Sequence, residues 1–241
     1  MQGQMYRLQP YARELVTEVV GHTPEGGVLC ADSIFYPTGG GQPGDAGTLV
    51  WAGGALEVAT AIKAPENAPA PVILVPAEPA PLPPVGTQVT QSLDWERRHR
   101  HMRVHTALHL LSVVIPLPVS GGAIGTEKGR LDFDMPEPPE DISAIDARLN
   151  AMIAADLQVR EEWISDEELA ANPGLVKTMS VAPPTGQGWV RLIRIGEGAA
   201  QVDLQPCGGT HVASTAEIGP VRIGKLEKKG KRNRRVSLHL A

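Results

Sequence analysis

In a chain of 241 residues with 26 glycines and 22 prolines, residues 94–115 contain neither. Within this run ERRHRHMRVHTALHLLSVVI predicts a helix of about five turns. Pro116 ends it, because a proline ring removes a backbone donor and clashes with the preceding turn. A helix of that length divides the chain. Residues 1–93 before it read as β structure with turns: VTEVVGH (16–22), GGVLCADSIFYP and a glycine cluster, then GTLVWAGG and LEVATAI. Residues 64–84 hold eight prolines, yet VILV (72–75) among them fits a strand between two proline-rich loops. The segment is therefore read as part of a small barrel rather than as a linker.

After the helix, SGGAIGTEKGRLDFDM predicts a glycine-punctuated connection into a strand. EDISAIDARLNAMIAADLQV places Ile142, Ile145, Leu149, Met152 and Ile153 on one helical face. Ser165 and Glu168 match a capping box for SDEELAAN, stopped by Pro173. WVRLIRI (189–195), AAQVDLQ (199–205), GPVRIGKLE (219–227) and NRRVSLHL (233–240) are strand-like. The last two flank KKGK, which predicts an antiparallel hairpin with a basic tip. The predicted class is α+β. A β-barrel-like N-terminal domain over 1–93 precedes an α/β domain over 94–241 with helices packed on an antiparallel sheet.

Two short segments carry metal-binding chemistry. His105 and His109 lie four residues apart in the helix, on one face and about 5–6 Å from each other. In Cys207-Gly-Gly-Thr-His211 the paired glycines disfavour helix and let a loop fold a thiolate and an imidazole toward one point. Three imidazoles and a thiolate suit a tetrahedral zinc ion. Alone, the histidine pair also reads as ordinary surface or core histidines, and His99 and His101 share the helix, with His101 on the same face. Both half-motifs in one chain favour a metal. A closed cage of four ligands is usually structural, whereas catalysis needs an open position, and residue counting leaves both open. A third signal, FYPTGGGQPGD (35–45), is neither a phosphate-binding GK[ST] loop nor GxGxxG; close backbone approach to a ligand and a tight barrel turn both fit it.

The two cysteines make no disulfide framework, and a reducing cytoplasm is expected. The longest apolar run, residues 108–124, is broken by Pro116, Pro118 and Gly121, and the N-terminus has no apolar signal core, so no membrane association is expected. A net charge of −5 argues at first against nucleic acid. The charge is unevenly placed, however. Residues 225–235 hold seven basic side chains and one acid, and residues 97–103 hold four arginines and no acid. Such stretches steer a polyanion to one face, although each alone also reads as a solvated turn or helix end.

HTALHLL, CGGTH, FYPTGGGQPGD and GRLDFD together resemble the AlaX proteins, freestanding relatives of the alanyl-tRNA synthetase editing domain. The resemblance runs from about residue 28 to residue 240 and includes EIGPVRI after the CxxxH. The metal half-motifs are shared with the threonyl-tRNA synthetase editing domain; the GGGQ loop points to the alanyl branch. A barrel-like part before the editing fold is similar to the mid-length form. The remaining residues leave no room for an aminoacylation domain, so a whole synthetase is not expected.

The resemblance implies ATP-independent trans-editing of mischarged tRNA(Ala): hydrolysis of the ester to a wrong amino acid, chiefly serine, with glycine as a second candidate. It implies one zinc ion per chain on His105, His109, Cys207 and His211, with Gly40, Gly41 and Gln42 near the pocket and the tRNA end. Within residues 120–126 it implies a sensor of the serine side chain. Thr126 is the candidate, against the alternative of a turn hydroxyl capping its own backbone. Arg97, Arg98, Arg100, Arg103, Lys228, Lys229, Lys231 and Arg232 would hold tRNA phosphates. No Ser-His-Asp arrangement is evident, so a metal-positioned water is the expected nucleophile. Three rivals stay open: a threonyl-type editing domain, a non-catalytic tRNA-binding module with structural zinc, and a metallohydrolase of small esters or amides. Monomer and homodimer are both open.

Overall fold

The computed structural model describes residues 3–179 and 188–241. The chain divides into two compact units, Met1–His99 and Arg100–Ala241. The first begins with a short helix, α1 (Met5–Leu8). Six strands follow: β1 (Glu14–His22), β2 (Val28–Cys30), β3 (Gly47–Trp51), β4 (Gly54–Lys63), β5 (Val72–Pro76) and β6 (Gln88–Leu93). They close into an antiparallel barrel in the order β1-β2-β5-β4-β3-β6. Closure pairs every strand on both sides and removes the open edges of a sheet. Alternation fills the interior: Leu56 and Val58 of β4 meet Val19, Val28, Leu49, Leu74 and Val89 there. VILV is a barrel strand, as expected from its sequence. QVTQSL forms β6 although its polar residues gave no strand signal. Its inward Gln91 is satisfied by accepting from Ile34 N at 3.0 Å and donating to Asp32 O at 2.8 Å.

The long helix is α2 (Trp95–Val114), and the division between the units falls inside it. The second unit continues with β7 (Val119–Ile124), β8 (Lys128–Asp134), α3 (Ile142–Ala154), β9 (Val159–Ser165), α4 (Asp166–Ala171), β10 (Trp189–Ile195), β11 (Asp203–Pro206), β12 (Val221–Lys228) and β13 (Asn233–Leu240). These strands form two antiparallel sheets, β11-β10-β9 and β12-β13-β8-β7, where one was expected. Met102, Val104, Ala107, Leu108, Leu110 and Leu111 of α2 are all buried. The second half of the helix, ALHLLSVV, is largely apolar, as suits a core position. It approaches β8 so closely that a Cβ on Gly129 would lie 2.6 Å from Val104 Cγ1.

In the second unit two further strands escaped the sequence pattern. β7, expected as a connection, pairs with β8 despite Gly121 and Gly122, with a register shift between Val119 and Gly121. β9 (VREEWIS) lacks apolar alternation because its glutamates face arginines of β10: Glu161 pairs with Arg191 and Glu162 with Arg194. AAQVDLQ is strand over its last part alone; its start is a 3-10 turn, Gly198–Ala200. The Ser165–Glu168 capping box is formed, with Glu168 N donating to Ser165 Oγ at 3.0 Å. The β12–β13 hairpin closes at Lys229 N to Asn233 O, 2.9 Å. No described helix is long and apolar enough to cross a membrane.

Candidate metal centre

α2 carries His105 and His109 one turn apart and aims both inward, each 7% exposed. The end of β11 brings Cys207, and the following turn returns His211. Arg191, 9% exposed, holds that turn: one Nη1 donates to Cys207 O and Gly209 O, both at 2.9 Å. The ligand atoms of His105, His109, Cys207 and His211 all lie within 4.8 Å of one another. Cys207 Sγ is 3.4 Å from His105 Nε2 and 3.2 Å from His211 Nε2. The His105–His211 and His109–His211 ring centroids are 4.3 and 4.6 Å apart. Three imidazoles and a sulfur crowded this closely fit a divalent cation that favours nitrogen and sulfur.

The surroundings settle which ring nitrogens face inward. Thr106 Oγ1 donates to Met102 O at 2.9 Å and so has spent its hydrogen. It is therefore an acceptor for His211 Nδ1, 3.1 Å away. His211 carries its proton on Nδ1 and turns a lone pair on Nε2 toward Cys207. His109 Nδ1 donates to Asp203 Oδ2 at 3.0 Å, so Nε2 is the nitrogen left for a metal once its proton is displaced. Asp203 also accepts from Lys177 Nζ at 2.5 Å and Gln205 Nε2 at 2.7 Å. A carboxylate behind a histidine ligand orients the ring and raises its basicity. Thr106→Val is expected to weaken metal binding about tenfold and Thr106→Ser to restore it, read by competition with a chromophoric chelator. Equal affinity in Val and Ser variants would remove the hydroxyl from the site.

The charges are tuned together. Burial disfavours a charged Cys207, but the His105 and His211 rings beside it hold its thiol well below the usual value. Burial and neighbouring His105 push His211 well below the usual histidine range. For His109 burial acts downward, yet Asp203 and the Cys207 sulfur outweigh it and raise its pKa to about 9. A metal ion must displace the proton on His109 Nε2, so acid competes with binding. Affinity should climb about tenfold per pH unit toward pH 9 and then flatten. Calorimetry in two buffers of different ionisation enthalpy should count one proton released near neutrality; a count of two or more would contradict the thiolate.

Other expected residues fall elsewhere. In the first unit, Gly40 and Gly41 form the exposed tip of a turn, whereas Gln42 is 1% exposed. Arg98 is a correction: 1% exposed and ion-paired with Asp45, it is not a phosphate contact. Arg97 keeps a buried Nε without a hydrogen-bond partner among the described residues and lines an open groove of about 470 Å³ with Glu57, Ser92 and Asp94. His99 is partly buried and stacks on Trp95 at 5.5 Å, and His101 is 2% exposed. In the second unit, Thr126 lies in the β7–β8 turn and makes no hydrogen bond among the described residues, so it does not cap its own backbone. Arg103 Nε donates to Ile218 O at 2.9 Å, and Arg100 beside it depresses its pKa after burial. At the hairpin tip Lys229 pairs with Glu227 and Arg232 with Asp134. Lys225, Lys228 and Lys231 are exposed and, among the described residues, have no ion pair. Cys30 is buried, and burial pushes its thiol up to about 11.

Asp203, Gln205, Lys177, Thr106 and Arg191 were not singled out from the sequence. A signal existed for two of them. Asp203 and Gln205 alternate along β11 just before Cys207, where inward polar residues need partners.

Residues 190–237 match the family described as the threonyl and alanyl tRNA synthetase second additional domain. The alanyl-tRNA editing protein AlaX-M of Methanosarcina acetivorans is 33% identical over 96% of this chain and 96% of its own. AlaX-M of Saccharolobus solfataricus is 32% identical over 98% of each. The alanine–tRNA ligase of Pyrobaculum arsenaticum is 31% identical over 93% of this chain, which spans 25% of the ligase. Fold and site thus define a protein that carries the additional domain of these synthetases. The chain belongs to the AlaX-M family of alanyl-tRNA editing proteins.

Proposed function

We propose that this protein deacylates mischarged tRNA(Ala), with serine the chief substrate and glycine the second, and that the chemistry belongs to residues 94–241. The observation that carries the reading is the convergence of His105, His109, Cys207 and His211 from two distant segments. Membership of an editing family supports it. These residues would hold one zinc ion. Bound there, zinc supplies Lewis acidity for an ester carbonyl and for water. The chain's own residues do the rest. Asp203 and Thr106 orient His109 and His211, and Arg191 fixes the turn between Cys207 and His211. An aminoacyl ester is already activated, so a positioned water and oxyanion stabilisation suffice. Thr126, with a hydroxyl unengaged by the described residues, is assigned as the sensor of the serine hydroxyl. A site that pairs that hydroxyl rejects correctly charged alanine by leaving its own polar group unpaired. Gly40, Gly41 and Gln42 are assigned to the tRNA end.

Deacylation of Ser-tRNA(Ala), with and without a chelator, tests this. Serine release that the chelator stops is the expected result. Faster release from threonine tRNA would favour the threonyl-type reading, and a folded, metal-loaded, inert protein the binding module. Turnover of small esters without RNA would favour the general metallohydrolase.

Arg97, Arg100, Arg103, Lys228, Lys229, Lys231 and Arg232 remain assigned to tRNA phosphates. Their different pairing separates them. Replacing Lys228 and Lys231 with Gln should lower the salt slope of tRNA binding by about two, one per phosphate contact. Replacing Lys229 and Arg232, already paired with acids, should lower it less. An unchanged slope in both variants would return the tip to bulk solvent.

A further inference from the structure

Arg98, expected at the tRNA surface, is instead one of the most completely buried side chains of the protein. Its Nε donates to both carboxylate oxygens of Asp45, at 3.0 and 2.8 Å. Nη2 donates to Asp45 Oδ2 and, at 2.6 Å, to Ile34 O; Nη1 donates to Pro10 O at 3.1 Å. Asp45, also 1% exposed, accepts from Tyr36 N at 2.5 Å, and its own N–H donates to Tyr36 O at 3.0 Å. The pair therefore clamps both ends of residues 36–45.

Inside the clamp the loop is equally constrained. Gly39 and Gln42 exchange both backbone hydrogen bonds, at 3.0 and 2.9 Å. Gly40 and Gly41 between them have φ of 56° and 82°, the two positive values of a type I′ turn. Tyr36 Oη donates to Gly39 O at 2.8 Å, and Gly44 N to Thr38 Oγ1 at 2.9 Å. The root of the loop is buried and its glycine tip is exposed. Stability alone does not explain such a root, because a buried ion pair contributes no more than a well-packed apolar pair. What the ion pair adds is direction, since the guanidinium fork fixes the carboxylate that fixes both strands of the loop.

We propose that Arg98 and Asp45 are positioning residues for the glycine turn. They hold the exposed backbone of Gly40 and Gly41 in one orientation, so that tRNA meets a preformed surface and binding does not have to order the loop. This rests on the editing reading above.

The test uses the full-length, metal-loaded protein carrying Arg98→Met with Asp45→Leu, an apolar pair that fills the same space. Amide exchange of residues 38–44 should accelerate. The KM for Ser-tRNA(Ala) should rise at least tenfold, with kcat within twofold and metal content unchanged. A merely structural role would lower the folded fraction, and with it kcat, at unchanged KM. Accelerated exchange with wild-type KM, or unchanged exchange, overturns the proposal. Should the double variant fail to fold, Asp45→Asn, which keeps shape and loses charge, is judged by the same two readouts. A wild-type protein inert toward Ser-tRNA(Ala) would remove the editing reading itself and the inference with it. Wild-type activity beside an insensitive variant removes the inference alone.

Discussion

Cys207→Ala is expected to lower single-turnover deacylation of Ser-tRNA(Ala) on the order of a thousandfold, because a metal centre contributes several kcal/mol and about 1.4 kcal/mol is tenfold. The Cys207 sulfur lies 3.4 Å from His105 Nε2 and 3.2 Å from His211 Nε2, and it also acts on His109. Its thiolate is favoured by both rings although burial opposes it. Alanine at this position leaves three imidazoles and removes the sulfur that helps to raise the His109 pKa. Metal content by mass spectrometry and melting temperature should be read with the rate. Loss of rate and metal with the fold retained supports a catalytic centre. Collapse of the fold in parallel with the metal supports a structural one. A variant that keeps full activity after exhaustive chelation would end the metal hypothesis.

Asp203→Ala should cost about 3–5 kcal/mol of stability, the usual penalty for leaving a buried charge without its partner. The carboxylate receives three donors, His109, Lys177 and Gln205, and its side chain is fully buried. Burial alone would raise its pKa, but His109 and Lys177 bring it below the ordinary value. A depressed carboxylate stabilises the fold above its unfolded pKa and loses that contribution as pH falls through the folded value. The deficit of the variant should therefore be complete at neutrality, begin to shrink below about pH 4, where the unfolded chain takes up the proton, and close only as pH falls through the lower folded value. Urea melts of the metal-free protein at several pH values would show it. Metal affinity should fall a further 10–100-fold, roughly the range for a lost carboxylate behind a histidine ligand. A loss of stability near zero at neutrality would mean that Lys177 and His109 find other partners.

The cluster of His105, His109, Cys207 and His211 was legible because spacing on a regular helix and a glycine-opened loop translate into geometry without knowledge of the tertiary fold. The barrel was legible from short apolar runs between glycine pairs, and VILV survived its proline-rich surroundings. The support of the site was not. Asp203 and Thr106 are ordinary residues in a strand and a helix until a histidine from a remote segment meets them. Arg98 shows the converse error. Local charge density placed it on the surface with its neighbours, but a helix turns about 100° per residue, and Asp45 waits on its buried side. β9 was lost because cross-strand ion pairs replace the apolar alternation that marks a half-buried strand.

The protein has two cysteines, and they are chemically opposite. Cys30 is buried and holds its proton up to about pH 11, so at neutral pH it offers a thiol reagent almost no nucleophile. Cys207 is partly exposed and poised as a thiolate. Alkylation in the native state should therefore stop at one label per chain, and a cation seated on the sulfur would shield that position. A colorimetric thiol count thus gauges how many molecules in a preparation carry their metal, with no spectroscopic signal needed from the metal itself.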